Sequence, residues 1–227
     1  MSIGIIVQAR MGSTRLPGKV LMEINGKPML DHMIKRLQVT GLPIVVVTSC
    51  EKRDEPIVSW CIRNGVNYFL GSELDVLKRY FDCAINNKFT TIIRVTADCP
   101  LIDPFQLLRC FYTYEKCGYD FVTNRGPNTR YPDGIDVEIF SRKLLWEAHT
   151  NAYNPLDREH VTPWMLRHTS ILELPCLEDY SSYRYTVDTK EDFDLVMQLF
   201  KRIEETKIFG TYEEVICLMN EKTEEII

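Results

Sequence analysis

Short runs of β-branched and aliphatic residues alternate with longer stretches whose apolar positions recur every three or four residues, and the alternation holds through the first half of the chain. The short runs, at 3–7, 43–48, 66–69, 91–95 and 120–123, read as strands. Between them, Leu30, Ile34 and Leu37 mark one helical face and Ile57, Trp60 and Cys61 a second. Val76, Leu77, Tyr80, Phe81 and Ala84 mark a third, and Phe105, Leu107, Leu108, Phe111 and Tyr112 a fourth. Strand and helix in repeated succession predict right-handed crossovers and a mainly parallel sheet covered on both faces, an α/β fold. Ligands in such sheets sit beyond the carboxyl ends of the strands, near the point where strand order reverses.

The second half is less regular. Residues 124–132, rich in Gly, Pro, Asn and Arg, read as a mobile loop, followed by a β-like segment at 136–140. Helices are expected around 144–149 and 160–167, strands at 171–174 and 184–187, and closing helices at 191–202 and 212–219. With no internal repeat, low-complexity tract or long linker, residues 1–227 read as one domain.

Charge narrows the partners. Lys plus Arg number 27 against 32 Asp plus Glu, a net of −5, which excludes nucleic acid or an anionic membrane as the main partner but leaves room for a local basic pocket and a small phosphorylated ligand. The first apolar run meets Gln8, Ala9 and Arg10 too soon for a signal-peptide core, and no apolar stretch approaches the ~18 residues of a membrane span. The eight cysteines include no C-x-x-C pair, so buried thiols in a reduced, cytoplasmic compartment are expected.

The segment that bears most on chemistry follows the first strand: Gln8-Ala9-Arg10-Met11-Gly12-Ser13-Thr14-Arg15-Leu16-Pro17-Gly18-Lys19. Two glycines free the backbone and the interleaved cations supply fixed charge, a combination able to wrap polyphosphate; a solvated surface loop would show the same spacing. It is neither a Walker loop nor a G-x-G-x-x-G turn. The fourth strand ends in Thr96-Ala97-Asp98, which places Asp98 at the same sheet edge, where Mg²⁺ could bridge it to phosphate. Asp103, just before Pro104, suits a helix cap. Asp188 repeats the strand-end arrangement and fits capping or metal ligation equally.

These residues, together with Ile24-Asn25-Gly26-Lys27-Pro28-Met29-Leu30, resemble the signature of the nucleotide-sugar cytidylyltransferases, the group that includes the synthetases of CMP-activated Kdo and sialic acids. Within that group, the branch of spore coat polysaccharide biosynthesis protein F shares Gly71-Ser72-Glu73-Leu74-Asp75-Val76-Leu77-Lys78-Arg79-Tyr80 and Asp98-Cys99-Pro100-Leu101-Ile102-Asp103. It also shares Tyr131-Pro132-Asp133-Gly134-Ile135-Asp136-Val137-Glu138 and Arg158-Glu159-His160-Val161-Thr162-Pro163.

The resemblance implies a three-layer α/β/α nucleotide-diphospho-sugar transferase fold with a mostly parallel, mixed sheet. It also implies transfer of CMP from CTP to a sugar or sugar acid with release of pyrophosphate, for surface polysaccharide synthesis. Arg10 and Lys19 match positions that hold the triphosphate, joined by Arg15, and Asp98 and Asp188 match the carboxylate pair around Mg²⁺. Gln8, Ala9, Gly12, Ser13 and Thr96 fall in the nucleotide-binding half, 1–123, and residues 124–227 become the acceptor-binding and dimerisation half. The Kdo and sialic acid enzymes carry different residues around 131–138, so their sugar contacts do not transfer.

Gly71 and Ser72 follow the third strand, and Ser72, Asp75 and Arg79 are spaced for one helical face toward cytosine and ribose; a capping role for Ser72 and Asp75 with a solvated Arg79 fits as well. For the acceptor, Tyr131, Asp133, Asp136 and Glu138 offer hydroxyl-binding groups, and Arg158, His160 and Arg184 suit a carboxylate, although a lone His is more often structural. No general base is evident. A homodimer is expected, with segment 131–140 reaching across the interface or folding over its own site. A uridylyl- or thymidylyltransferase would keep the same fold and loop; a glycosyltransferase of this fold usually needs an Asp-x-Asp motif, absent at Asp98-Cys99-Pro100, and a non-catalytic nucleotide-binding module need not keep both metal carboxylates.

Overall fold

The computed structural model describes residues 2–224; Met1 and the last three residues of the expected 1–227 domain lie outside it. The strands are β1 (Ile3–Gln8), β2 (Glu23–Ile24), β3 (Lys27–Pro28), β4 (Ile44–Ser49), β5 (Asn67–Gly71), β6 (Thr91–Thr96), β7 (Phe121–Thr123), β8 (Glu138–Ser141) and β9 (Ile171–Glu173). The helices are α1 (Met29–Gln38), α2 (Glu55–Arg63), α3 (Val76–Asn86), α4 (Pro104–Cys117), α5 (Arg142–Asn151), α6 (Pro155–His160), α7 (Pro163–His168), α8 (Lys190–Thr206) and α9 (Tyr212–Glu224). One seven-stranded sheet runs β5-β4-β1-β6-β8-β7-β9, and β2 and β3 form a separate hairpin.

The mostly parallel mixed sheet follows from the sequence pattern. Successive side chains on a strand face opposite ways, so Ile5, Val7, Val46, Ile93 and Val95 enter one core with α1, α2, α4, α8 and α9. Ile6, Val45, Val47 and Ile92 enter the other with α3, α5 and α7. Strands apolar on both faces need helices on both faces, and the three-layer α/β/α arrangement supplies them. Strand order reverses at β1, which pairs in parallel with β4 on one side and β6 on the other, with Gln8 opposite Thr96 at the carboxyl ends. That is the switch point where a ligand site is expected.

Three readings of the second half change. The helix expected at 160–167 is two helices, because Val161 sits at φ 73°, ψ −56°, with Thr162 N–H donating to His160 C=O at 2.9 Å, a γ-turn that breaks the run before Pro163. The strand expected at 184–187 joins no strand of the sheet: it meets Asp133 through an isolated Asp133–Arg184 bridge, and Val187 N–H donates to Asp98 C=O at 2.8 Å. Segment 131–140 is not a free arm: β8 lies between β6 and β7 of its own sheet, antiparallel to both, and Tyr131, Ile135 and Val137 are buried. Loop 124–132 is tied to that segment, the Asn124 side chain donating to Ile135 C=O and accepting from Val137 N–H, both at 2.8 Å.

All eight cysteines are free, and five are buried. Among the described residues no helix is long and apolar enough to cross a membrane.

Asp103 is the cap of α4, as its place before Pro104 indicates: its Oδ1 accepts from Phe105 and Gln106 N–H, and Oδ2 accepts from Tyr212 N–H at 2.9 Å. One carboxylate thus serves the starts of two helices. Asp103→Ala should cost about 2 kcal/mol or more, since it removes a cap and leaves a buried N–H unpaired. Urea denaturation, with an unchanged slope and a lower midpoint, measures it.

Candidate active site

The loop after β1 begins at the switch point, where Ala9 N–H donates to Val47 C=O at 3.1 Å. Its first turn is fixed by Asp54, a buried carboxylate that accepts from Met11 N–H at 2.7 Å through one oxygen and from the Ser49 hydroxyl at 2.5 Å through the other. Gly18, at φ 74°, lets the chain turn left-handed into a short 3-10 helix at Lys19–Leu21. That turn sends Lys19 inward, to 8% exposure.

The Lys19 ammonium has three acceptors: Val187 C=O at 2.6 Å, Asp188 Oδ1 at 3.0 Å and Asp98 Oδ2 at 3.3 Å. Burial alone would push the Asp98 carboxyl up, but Lys19 and a hydrogen bond from Thr96 outweigh it and hold Asp98 below the usual range. Asp188 is not the cap of α8. Thr189 takes that position and Asp192 completes the capping box, which frees the Asp188 carboxylate for Lys19, Arg15 (3.0 Å) and Arg184 (2.7 Å).

A cavity of about 400 Å³ opens here. From the first half it is lined by Gln8, Arg10, Ser13, Thr14, Arg15, Lys19, Arg94, Thr96, Asp98 and Cys99, and from the second by Arg125, Asp133, Asp136, His160, Thr186 and Asp188. A second compartment of about 450 Å³ shares Arg94, Arg125 and His160 and adds Pro127, Glu138, Thr162, Pro163 and Leu166. Arg10 is half-exposed and lies 3.9 Å from Glu159 of α6. Ala9 is buried beneath the loop, and Gly12 packs on the Arg53 guanidinium.

Several expected contacts go elsewhere. Asp75 is the cap of α3, accepting from Lys78 N–H at 2.9 Å, while the Ser72 hydroxyl accepts from Asp75 N–H. Arg79 is neither solvated nor lining the cavity: at 2% exposure it lies against Gly71 and donates to Ser72 C=O at 2.9 Å. Arg158 turns away from the cavity, donating to Asp75 at 2.7 Å and to the carbonyls of His149 and Ala152. Tyr131 is in the core, its hydroxyl donating to Pro175 C=O and accepting from Arg109. Arg184 stands behind the cavity wall, its guanidinium divided among Asp133, Asp188 and Asp192.

Arg94, Arg125 and Thr186 line the cavity although the motif reading did not single them out. Arg94 had a signal, a charge in an otherwise apolar central strand; it is opposite Glu138 in the β6–β8 register and ion-paired to it, with Thr162 donating to the other Glu138 oxygen at 2.9 Å. Burial by itself would lower the Arg94 pKa, but Glu138 raises it further and keeps the cation charged. Arg125 and Thr186 come from loops, with no local pattern to announce them.

Residues 4–225 match the cytidylyltransferase family model. This chain belongs to that family. The cytidylyltransferase is 32% identical over 229 residues to the spore coat polysaccharide biosynthesis protein SpsF of Bacillus subtilis, covering 95% of this chain and 92% of that one. It is 34% identical to the 3-deoxy-manno-octulosonate cytidylyltransferase of Methylibium petroleiphilum over 115 residues, 48% of this chain and 42% of that one. A solved cytidylyltransferase from Leptospira borgpetersenii superposes with a TM-score of 0.91 at 33% identity, covering 99% of this chain and 96% of the other. CMP:2-keto-3-deoxy-manno-octonic acid synthetase shares the fold, with a TM-score of 0.68 at 18% identity, over 89% of this chain and 99% of the other. The family makes this cytidylyltransferase a CTP-dependent nucleotidyltransferase.

In the same cavity wall, burial pushes the Asp136 carboxyl up to about 7; Arg125, 3.1 Å away, pulls it down, while Asp133, Glu138 and Asp98 push it further up. A folded-state pKa above the unfolded one means the stabilising contribution of Asp136 is present below about pH 4 and is lost as pH rises through about 7. Asp136→Asn, neutral at every pH, should therefore raise Tm at pH 8 by about 2–4 °C or more, the shift per kcal/mol for a chain of this size. The gain should shrink toward pH 4 in calorimetric scans; an equal gain at both pH values would contradict it.

Proposed function

We propose that this cytidylyltransferase transfers CMP from CTP to a hydroxyl of a sugar or sugar acid, releasing pyrophosphate, in surface polysaccharide synthesis. The observation that carries the reading is the convergence of Lys19, Asp98 and Asp188 beside Arg10 and Arg15 at the switch point. Family membership and the similarity to SpsF support the biosynthetic role.

Charge develops on the non-bridging oxygens of the α-phosphate and on the departing pyrophosphate, and fixed cations lower the barrier by stabilising it. Arg10, Arg15 and Lys19 supply them. Arg10 and Arg15, at 46% and 63% exposed, stand at the open side and can fold onto the outer phosphates.

Mg²⁺ is the proposed cofactor. Among the described residues no group of three or more His, Cys, Asp or Glu side chains forms a metal cage. Asp98 and Asp188 are two carboxylates on one cavity wall, a donor set that suits an ion completed by phosphate oxygens and water. When bound, the ion would neutralise phosphate charge. The acceptor would occupy the side lined by Asp133, Asp136 and His160.

Arg10→Ala and Lys19→Ala should each lower kcat/KM by roughly 10²-fold or more. Asp98→Asn should abolish turnover while the chain still folds, with a lower Tm because buried Lys19 loses one of its two carboxylates. Pyrophosphate release, assayed with each of the four NTPs, Mg²⁺ and a panel of sugars and sugar acids, tests the reading; release from another NTP in preference to CTP, or from none, overturns it. A homodimer completes the proposal, and a mass near 26.5 kDa in sedimentation equilibrium at micromolar concentration would remove it.

A further inference from the structure

The cavity holds four Asp carboxylates, and three of them have fixed partners. Asp98 binds Lys19; Asp188 binds Lys19, Arg15 and Arg184; Asp133 accepts from Arg184 at 3.0 Å and from the Thr186 hydroxyl at 2.6 Å. Glu138, next door in the second compartment, is consumed by Arg94 and Thr162. Asp136 differs. Among the described residues the only ion pair it makes is with Arg125, whose side chain is 59% exposed on a loop, while the Asp136 side chain is itself 17% exposed.

Its position is set by the sheet. Glu138 pairs with Arg94, and Asp136 precedes it by two residues on an antiparallel neighbour, so the same register carries Asp136 toward Thr96 at the carboxyl end of β6. Asp98 lies two residues beyond Thr96 on the same cavity wall. Asp136 therefore lines the cavity on the side proposed for the acceptor, close to the end of β6 that leads to Asp98.

We propose that Asp136 is the general base of the transfer, taking the proton from the acceptor hydroxyl as its oxygen attacks the α-phosphorus of CTP. The inference rests on the cytidylyl-transfer reading. The acceptor O–H bond breaks and its proton goes to an Asp136 oxygen. The new O–Pα bond forms as the bond from Pα to the bridging oxygen breaks, and that electron pair leaves with pyrophosphate. Water takes the proton from Asp136 once the products have gone.

The charged groups around Asp136 suit this role. Arg125 and Asp133 face it from its own loop region, Glu138 from β8, and Asp98 from the end of β6. Three neighbouring carboxylates and burial, opposed by one exposed cation, leave the group basic near neutral pH, where a carboxylate in water would be a poor base.

The test uses the full chain with CTP, Mg²⁺ and two acceptor probes, 3-deoxy-manno-octulosonate and N-acetylneuraminate. Asp136→Asn should keep CTP affinity within about threefold by calorimetric titration while kcat falls by roughly 10²–10⁴-fold, the range for loss of a general base. Arg125→Gln should move the acid limb of the kcat–pH profile upward, since losing a cation makes the carboxylate more basic. A kcat for Asp136→Asn within about tenfold of wild type, or an acid limb unmoved by Arg125→Gln, overturns the proposal. Wild-type enzyme inert with both probes while binding CTP would count against these acceptors and not against Asp136. The ¹³C NMR titration of the Asp136 carboxyl, recorded with CTP and Mg²⁺, then decides: titration below about pH 5 overturns the assignment, and titration near neutral pH that rises in Arg125→Gln supports it.

Discussion

The site depends on one buried ammonium. Lys19 has three N–H donors and three acceptors, a carbonyl and two carboxylates, drawn from two segments that are distant in sequence. A buried charge is tolerated only when it is paired and hydrogen-bonded, so the chain must bring Val187, Asp98 and Asp188 to the same point wherever Lys19 is enclosed. The converse holds equally: two carboxylates on one cavity wall repel unless a cation stands between them. The loop after β1 and the carboxylate pair are therefore a single electrostatic unit. Gly18, by turning the backbone left-handed one residue earlier, is what allows Lys19 to reach it.

From this unit the order spreads outward through shared partners. Asp188 passes its second oxygen to Arg184, Arg184 reaches Asp133 and Asp192, and Asp133 accepts from Thr186. This links the start of α8 to the segment before β8 with little sheet pairing, since a single bridge joins Asp133 and Arg184. On the other side, Asp54 pins Met11 and Ser49, so the loop after β1 is fastened to the end of β4 as well. A loop held at both ends can keep Arg10 and Arg15 open to the cavity without being free to wander.

What the sequence disclosed follows from range. The parallel half was legible because its signals are local: period-two strands, period-three-to-four helices and short connections. The Gln8-to-Lys19 loop and Asp98 were legible for the same reason, each lying in one continuous stretch. Asp75 and Arg79 share a helical spacing that names a face without saying what it meets, and the structure spends Asp75 on a cap and buries Arg79. Arg125 and Thr186 reach the cavity through the β7–β8 register and the hydrogen bond to Asp133, neither of which any local window contains. The helix read through 160–167 failed because its apolar spacing continues across Val161 while the backbone does not.

That break bears on the site. A β-branched residue at φ 73° is strained, and such strain persists only where the surroundings over-determine the conformation. Here Val161 is fully buried, its N–H donates to Asp157 C=O at 3.0 Å, and the next residue, Thr162, is fastened to Glu138, which is itself bound to Arg94 on the central strand. The ion pair inside the sheet thus fixes where α6 ends. The last two residues of α6 face the cavity: Glu159 lies 3.9 Å from Arg10, and His160 lines both compartments. A continuous helix through Val161 would carry Thr162 off Glu138 and redirect α7, whose start lines the second compartment, so the Arg94–Glu138 pair, which no local motif predicts, is coupled to the shape of that wall.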